Sequence, residues 1–170
     1  MPKLAILNIS SNRLKSIPTN EFHSLQWLDV SNNLITELPI IESLTCINVS
    51  HNLITDFQNI VKMPLLAHLW ATHNKICEIN AELKLLHHLH DLNLSHNFIV
   101  DTTELSHLKH LSILNLSHNR ITKLNAELKT VEVLNLSHNR IIKLNAELKN
   151  VEVLILRSNL ITRLRDYQLI

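Results

Sequence analysis

The sequence predicts an α/β solenoid: about eight right-handed coils, a parallel β-sheet lining the concave side of a horseshoe arc, and short helical or 3₁₀ segments outside. Three observations predict it. An asparagine recurs along the whole chain, at Asn12, Asn33, Asn52, Asn74, Asn97, Asn119, Asn139 and Asn159, with gaps of 21, 19, 22, 23, 22, 20 and 20 residues. Two apolar residues two positions apart precede each copy, as Leu114 and Leu116 precede Asn119. Between copies apolar residues return at every third position, as in Ile54, Phe57, Ile60, Met63 and Leu66. A period near 20 means that each coil touches only its neighbours.

The strand follows from the spacing of two. Leu114 and Leu116 fall on one side while Asn115 and Ser117 fall on the other, so the strand has a buried face and an open one. Asn119 arrives where the chain turns inward and leaves backbone groups without partners. An amide carries donors and an acceptor, so a column of such residues can bridge successive coils. Replacing one with Ala is expected to cost roughly 1–3 kcal/mol.

Taken in order, the first coil runs through Leu4, Leu7, Ile9, Asn12, Leu14 and Ile17, with Pro18 breaking it before a short helical piece. The second has Leu25, Leu28, Val30, Asn33, Ile35 and Leu38, with Pro39 in the corresponding place. In the third, Leu44, Ile47 and Val49 lead to Asn52, and the period-three arm suits 3₁₀ or short α-helical structure behind the sheet. The fourth, with Leu66, Leu69, Ala71 and Asn74, is the least regular and carries Trp70 where its neighbours carry Asn. The fifth has Leu89, Leu92, Leu94 and Asn97, and the last three begin at Leu111, Val131 and Val151. Residues 117–136 and 137–156 differ only at Thr122/Ile142, Thr130/Asn150 and Asn135/Ile155, which suggests a local duplication. The run Asn-Ala-Glu-Leu-Lys occurs at 80–84, 125–129 and 145–149. An Asn cap followed by an acid in the first turn predicts one helical turn at each.

The full unit, L-x-x-L-x-L-x-x-N-x-I, resembles the leucine-rich-repeat family, and the outer arm of the third coil resembles that family's short intracellular subclass. The resemblance covers almost the whole chain, read as one domain over 1–170. It implies a non-catalytic adaptor, regulatory subunit or scaffold that binds a protein or peptide on its concave face. The terminal coils have little to cap them, since Met1-Pro2-Lys3-Leu4 enters the first repeat directly and Arg165-Asp166-Tyr167-Gln168-Leu169-Ile170 is at most the start of a cap. The expectation is a piece of a longer protein, or self-association through uncapped ends.

Composition narrows the function classes. Glycine is absent, which removes glycine-rich phosphate loops and dinucleotide fingerprints and leaves Asn as the expected residue wherever a turn needs a positive φ. The net charge of +1 supplies no overall field for nucleic acid or an acidic membrane surface. No apolar run reaches the ~18–20 residues of a membrane span. Cys46 and Cys77 lie in non-equivalent positions and are read as reduced thiols. The sequon N-x-S at Asn8, Asn48, Asn93, Asn115 and Asn135 falls on the inner strands, where glycans would crowd the binding face. These points predict a cytoplasmic, and alternatively nuclear, address.

The fixed register also names the open-face positions. One row is Asn8, Asp29, Asn48, Trp70, Asn93, Asn115, Asn135 and Ile155; the other is Ile6, Trp27, Cys46, His68, Asp91, Ile113, Val133 and Val153. The irregular residues Trp27, His68, Trp70 and Asp91, with Phe98 at the rim, are the candidate partner-binding set, since aromatics among polar groups anchor interfaces. Against that stands the reading that the tryptophans fold onto their neighbours. His51, His73, His96, His118 and His138 should form a column at the strand ends. It could share a metal or respond to acid, but a row is not the convergent set that a closed metal site needs. No metal, cofactor or catalytic residue is assigned; abundant Ser, His and Asp make no evident triad. Arg13, Lys75, Arg120, Arg140 and Arg157 near the inner edge leave an RNA-associated role as an alternative. A recognition arm of a multidomain enzyme or receptor is another.

Overall fold

The computed structural model describes residues 3–144 and 148–162. Each coil contributes one three-residue strand: β1 (Ile6–Asn8), β2 (Trp27–Asp29), β3 (Cys46–Asn48), β4 (His68–Trp70), β5 (Asp91–Asn93), β6 (Ile113–Asn115), β7 (Val133–Asn135) and β8 (Val153–Ile155). They pair in chain order in one parallel sheet, in the register the repeat predicts, so the chain is a right-handed solenoid. The middle residue of each strand points into the core. Leu28, Ile47, Leu69, Leu92, Leu114 and Leu134 are all buried, and the arm residues Ile54, Phe57, Ile60, Met63 and Leu66 pack behind them.

The asparagine column bridges the coils as its chemistry requires. Asn97 Nδ2 donates to the carbonyls of Leu94 (3.1 Å) and Ser95 (3.2 Å) in its own coil and of Ala71 (2.9 Å) in the preceding one. Its Oδ1 accepts the N–H of Ile76 at 3.1 Å. The same exchange joins Asn33, Asn52, Asn74, Asn119, Asn139 and Asn159 to the coil before each. Asn12 is exposed and bonds only to carbonyls of its own coil, Ile9 and Ser10.

Positive φ is met differently from the sequence expectation. The residue just before each column asparagine is left-handed, with φ between 52° and 57°, and that residue is Ser11, Asn32, His51, His73, His96, His118, His138 or Ser158. Asn59 is the other one among the described residues. Histidine, not asparagine, therefore carries most of these turns. Its planar, unbranched side chain tolerates the left-handed region better than most residues do.

Arm length decides where a helical turn forms. 3₁₀ segments occur at Thr19–Glu21, Ile60–Lys62, Ala81–Leu85 and Thr103–His107, in arms whose bounding asparagines are 21 to 23 residues apart. At Ala81–Leu85 the predicted cap is present, with Asn80 Oδ1 accepting the N–H of Glu82 at 2.8 Å. The identical run at 125–129 forms no helix, which corrects the expectation drawn from its sequence. Only 20 residues separate Asn119 from Asn139, too few for an extra turn. The Asn125 and Glu127 N–H groups donate instead to the hydroxyls of Thr102 (3.0 Å) and Ser106 (3.0 Å) of the coil before. The third copy lies partly, and the C-terminal run 165–170 wholly, outside the described residues.

Candidate interaction surface

Because the strands are three residues long, the row headed by Asn8 closes each strand. Six of its members have a local task. Asn8, Asp29, Asn48, Asn93, Asn115 and Asn135 each accept, through the side-chain oxygen, the N–H of the serine two residues on, at 2.8–3.1 Å. These Asx turns satisfy the backbone where the ladder ends. The sequence reading placed these amides on the open face and missed that they are already engaged. Trp70 and Ile155 cannot make the bond, so each sacrifices a local stabilising contact for an apolar side chain.

Trp70 sits in a cluster. Its Nε1 donates to Asp91 Oδ2 at 2.9 Å, and His68 Nδ1 lies 3.7 Å from the same oxygen. The His68 ring is 6.3 Å from the Trp70 ring and 6.3 Å from that of His90. The register places His68 beside Asp91 on one side and Cys46 on the other, with Trp27 beyond Cys46. Trp27 and Trp70 are both half-buried, two strand spacings or about 10 Å apart along the sheet. Of the candidate set, Trp27, His68, Trp70 and Asp91 are thus gathered on β2–β5. Phe98 is not with them. It lies past the turn on the lateral rim, 40% exposed, with the Arg120 guanidinium 4.5 Å from its ring centroid.

Cys46 faces the same side yet is buried, next to Trp27 in the register. Burial first, then the negative charges of Asp91 and Asp29, push the thiol up to about 11. Cys46, His68 and Asp91 therefore occupy adjacent register positions in the order nucleophile, base, orienter, an alignment that the repeat-by-repeat reading overlooked. The thiol nevertheless stays protonated near neutral pH, so it lacks the thiolate that nucleophilic chemistry needs. Asp29 enters the surface as a second carboxylate through the same observation.

The five predicted histidines stack. Ring centroids from His51 to His138 are 3.8–4.2 Å apart and successive planes differ by 11–14°. Burial against neighbours, then the charge of nearby histidines, lowers His73 and pushes His96 down to about 4. His118 is lowered by burial, then by His138 and Arg157. Stacked rings hold their in-plane nitrogens parallel instead of convergent. Among the described residues no group of three or more His, Cys, Asp or Glu side chains is placed to hold a metal ion, and no helix is long and apolar enough to cross a membrane.

The repeat unit, the sheet and the asparagine column define a class: the leucine-rich-repeat solenoid. The Leucine Rich Repeat family pattern matches residues 24–42 and 110–129. Solved structures agree over nearly the whole chain. A leucine-rich-repeat protein of Leptospira interrogans is 28% identical with a TM-score of 0.85, over 94% of this chain and 44% of that one. An internalin, InlF, of Listeria monocytogenes is 24% identical with a TM-score of 0.80, over 96% and 57%. TLR13, in the TLR13–ssRNA13 complex, is 27% identical with a TM-score of 0.74, over 91% and 24%. This chain has the leucine-rich-repeat fold, and two of its coils match that family's pattern. It spans about half the length of the first two of these relatives. No curated protein sequence matches it. The fold is one that generally serves non-enzymatic binding modules.

Proposed function

We propose that the chain is a protein-interaction module, an adaptor, regulatory subunit or scaffold acting inside the cell, whose open sheet face over β2–β5 seats a protein or peptide partner. One observation carries the reading. At the position where six coils spend an Asn or Asp on their own backbone, the fourth presents Trp70, half-buried, beside Asp91 and His68 and two strands from Trp27 and Asp29. Large aromatics held among polar groups supply buried area at little entropic cost. The module is read as one domain.

The test is selection of a random-peptide display library on the protein, followed by affinity measurement on Trp70→Asn. That substitution installs the residue most coils carry there, so its amide can accept the Thr72 N–H. Binding is expected to weaken by more than about 1 kcal/mol while the urea midpoint barely moves. Equal loss of binding and stability places Trp70 in the core and removes the site.

A second reading is RNA binding along the rim. Arg120 and Arg140 stand exposed there, with Arg157 close enough to act on His118, and TLR13 is a neighbour solved with ssRNA. A steep decline of RNA affinity with salt supports it; no salt-dependent binding removes it.

A further inference from the structure

The open face has a charge pattern that says what kind of segment it takes. Asp29 on β2 and Asp91 on β5 are carboxylates on this face, and no lysine or arginine stands at any face position from β1 to β8. Asp29 uses one oxygen for the Ser31 N–H, and Asp91 uses one for the Trp70 indole and the nearby His68 ring. Neither forms an ion pair with a lysine or arginine among the described residues. Both fields reach the same point, since both act on the Cys46 thiol that lies between them. Trp27 and Trp70 flank that point.

Two aromatic faces beside uncompensated carboxylates attract a cation twice over, through the ring quadrupoles and through charge. A basic segment also avoids the penalty an acidic one meets here. Further along the sheet the character changes. Ile113, Val153 and Ile155 are exposed on β6–β8, with Val133 between them.

We infer that the surface recognises an extended, amphipathic protein segment that lays a lysine or arginine between Trp27 and Trp70, within the field of Asp29 and Asp91, and apolar side chains over Ile113, Val153 and Ile155. The inference rests on the interaction reading above and deepens it by fixing the chemistry and the spacing of the partner's residues. With strands ~4.8 Å apart, β3, between the tryptophans, lies about 14 Å from β6 and about 24 Å from β8, so about four to seven extended residues separate the basic residue from the apolar ones.

The chain contains only two tryptophans, so intrinsic fluorescence reports this site alone. The probes are the capped tripeptide Ala-Arg-Ala, its citrulline counterpart, which is neutral and nearly isosteric, and its leucine counterpart, each titrated in the millimolar range. The arginine peptide is expected to give a saturable change at least about fivefold tighter than the citrulline one. The difference should vanish in Asp29→Asn/Asp91→Asn. Both substitutions keep an acceptor oxygen for Ser31 N–H and for Trp70 Nε1, and an unchanged urea midpoint verifies the fold. Equal affinity for arginine and citrulline peptides, or a difference that survives the double substitution, overturns the cationic assignment while leaving the surface a binding site. No saturable change with any peptide also overturns it, and the display selection then judges the broader reading separately.

Discussion

Removing the amide of Asn97 is the sharpest perturbation of the spine. The side chain is 4% exposed, and its oxygen is the partner the structure gives the buried Ile76 N–H. Its nitrogen ties the Ala71 carbonyl to those of Leu94 and Ser95. Asn97→Ala leaves the Ile76 N–H without this partner in a site too narrow for easy hydration, and leaves the Ala71 carbonyl with the longer bond from Asn74 Nδ2 at 3.3 Å. At about 1–3 kcal/mol for the unsatisfied N–H and about 1 kcal/mol for the hydrogen bond lost at the carbonyl, the expected loss is about 2–4 kcal/mol. Asn12→Ala is the internal control, because Asn12 is exposed and bonds only within its own coil; its loss should stay below about 1 kcal/mol. Urea unfolding followed by circular dichroism gives both numbers, provided the slope is unchanged. Similar losses for the two variants, or a loss below about 1 kcal/mol for Asn97→Ala, would refute the bridging argument.

Two further predictions concern the histidine column. His96 has φ 54°, so a β-branched replacement, His96→Val, should destabilise by about 1–2 kcal/mol, whereas His96→Gly should cost little in backbone strain; equal effects in urea unfolding remove the conformational explanation. The same residue makes stability depend on pH. Its folded value near about 4 lies below the ordinary 6.5, so on acidification the unfolded chain takes the proton first. Its contribution is full above about 6.5 and is lost as pH falls through about 4. His73 and His118 act in the same direction. His96→Asn, which also accepts the left-handed region, should therefore show a smaller drop in urea midpoint between about pH 7 and about pH 4.5 than the parent chain; an equal drop contradicts the assignment.

Legibility in the sequence differed by kind of information. The strand register was readable to the residue, because a spacing of two and an invariant amide leave only one way to align Leu28, Ile47 and Leu69. The buried role of the column amides followed for the same reason. The role of the histidines was hidden, since Ser-His-Asn looks like a chemical signature until backbone geometry shows that the position before each column residue must turn left-handed. The run Asn-Ala-Glu-Leu-Lys misled because capping chemistry is local whereas room for a turn is set by the spacing of two distant asparagines. At the surface, Trp27, His68, Trp70 and Asp91 were visible as departures from the repeat. Asp29 was not, because it fills an Asx role that Asn fills elsewhere, which hides its charge within the repeat. Phe98 lies at the rim, where the sequence puts it; what the sequence did not supply is the Arg120 guanidinium against its ring.

The central claim is that the sheet face between β2 and β5 is where a partner sits. Proton–nitrogen correlation spectra resolve one indole Nε1–H signal for Trp27 and one for Trp70, so a titration with a peptide from the display selection tests it directly. Both indole signals should shift and saturate together, while the amides of the 3₁₀ segments at Ala81–Leu85 and Thr103–His107 stay in place. Shifts confined to those outer segments or to the histidine column, with both indoles unmoved, would contradict it.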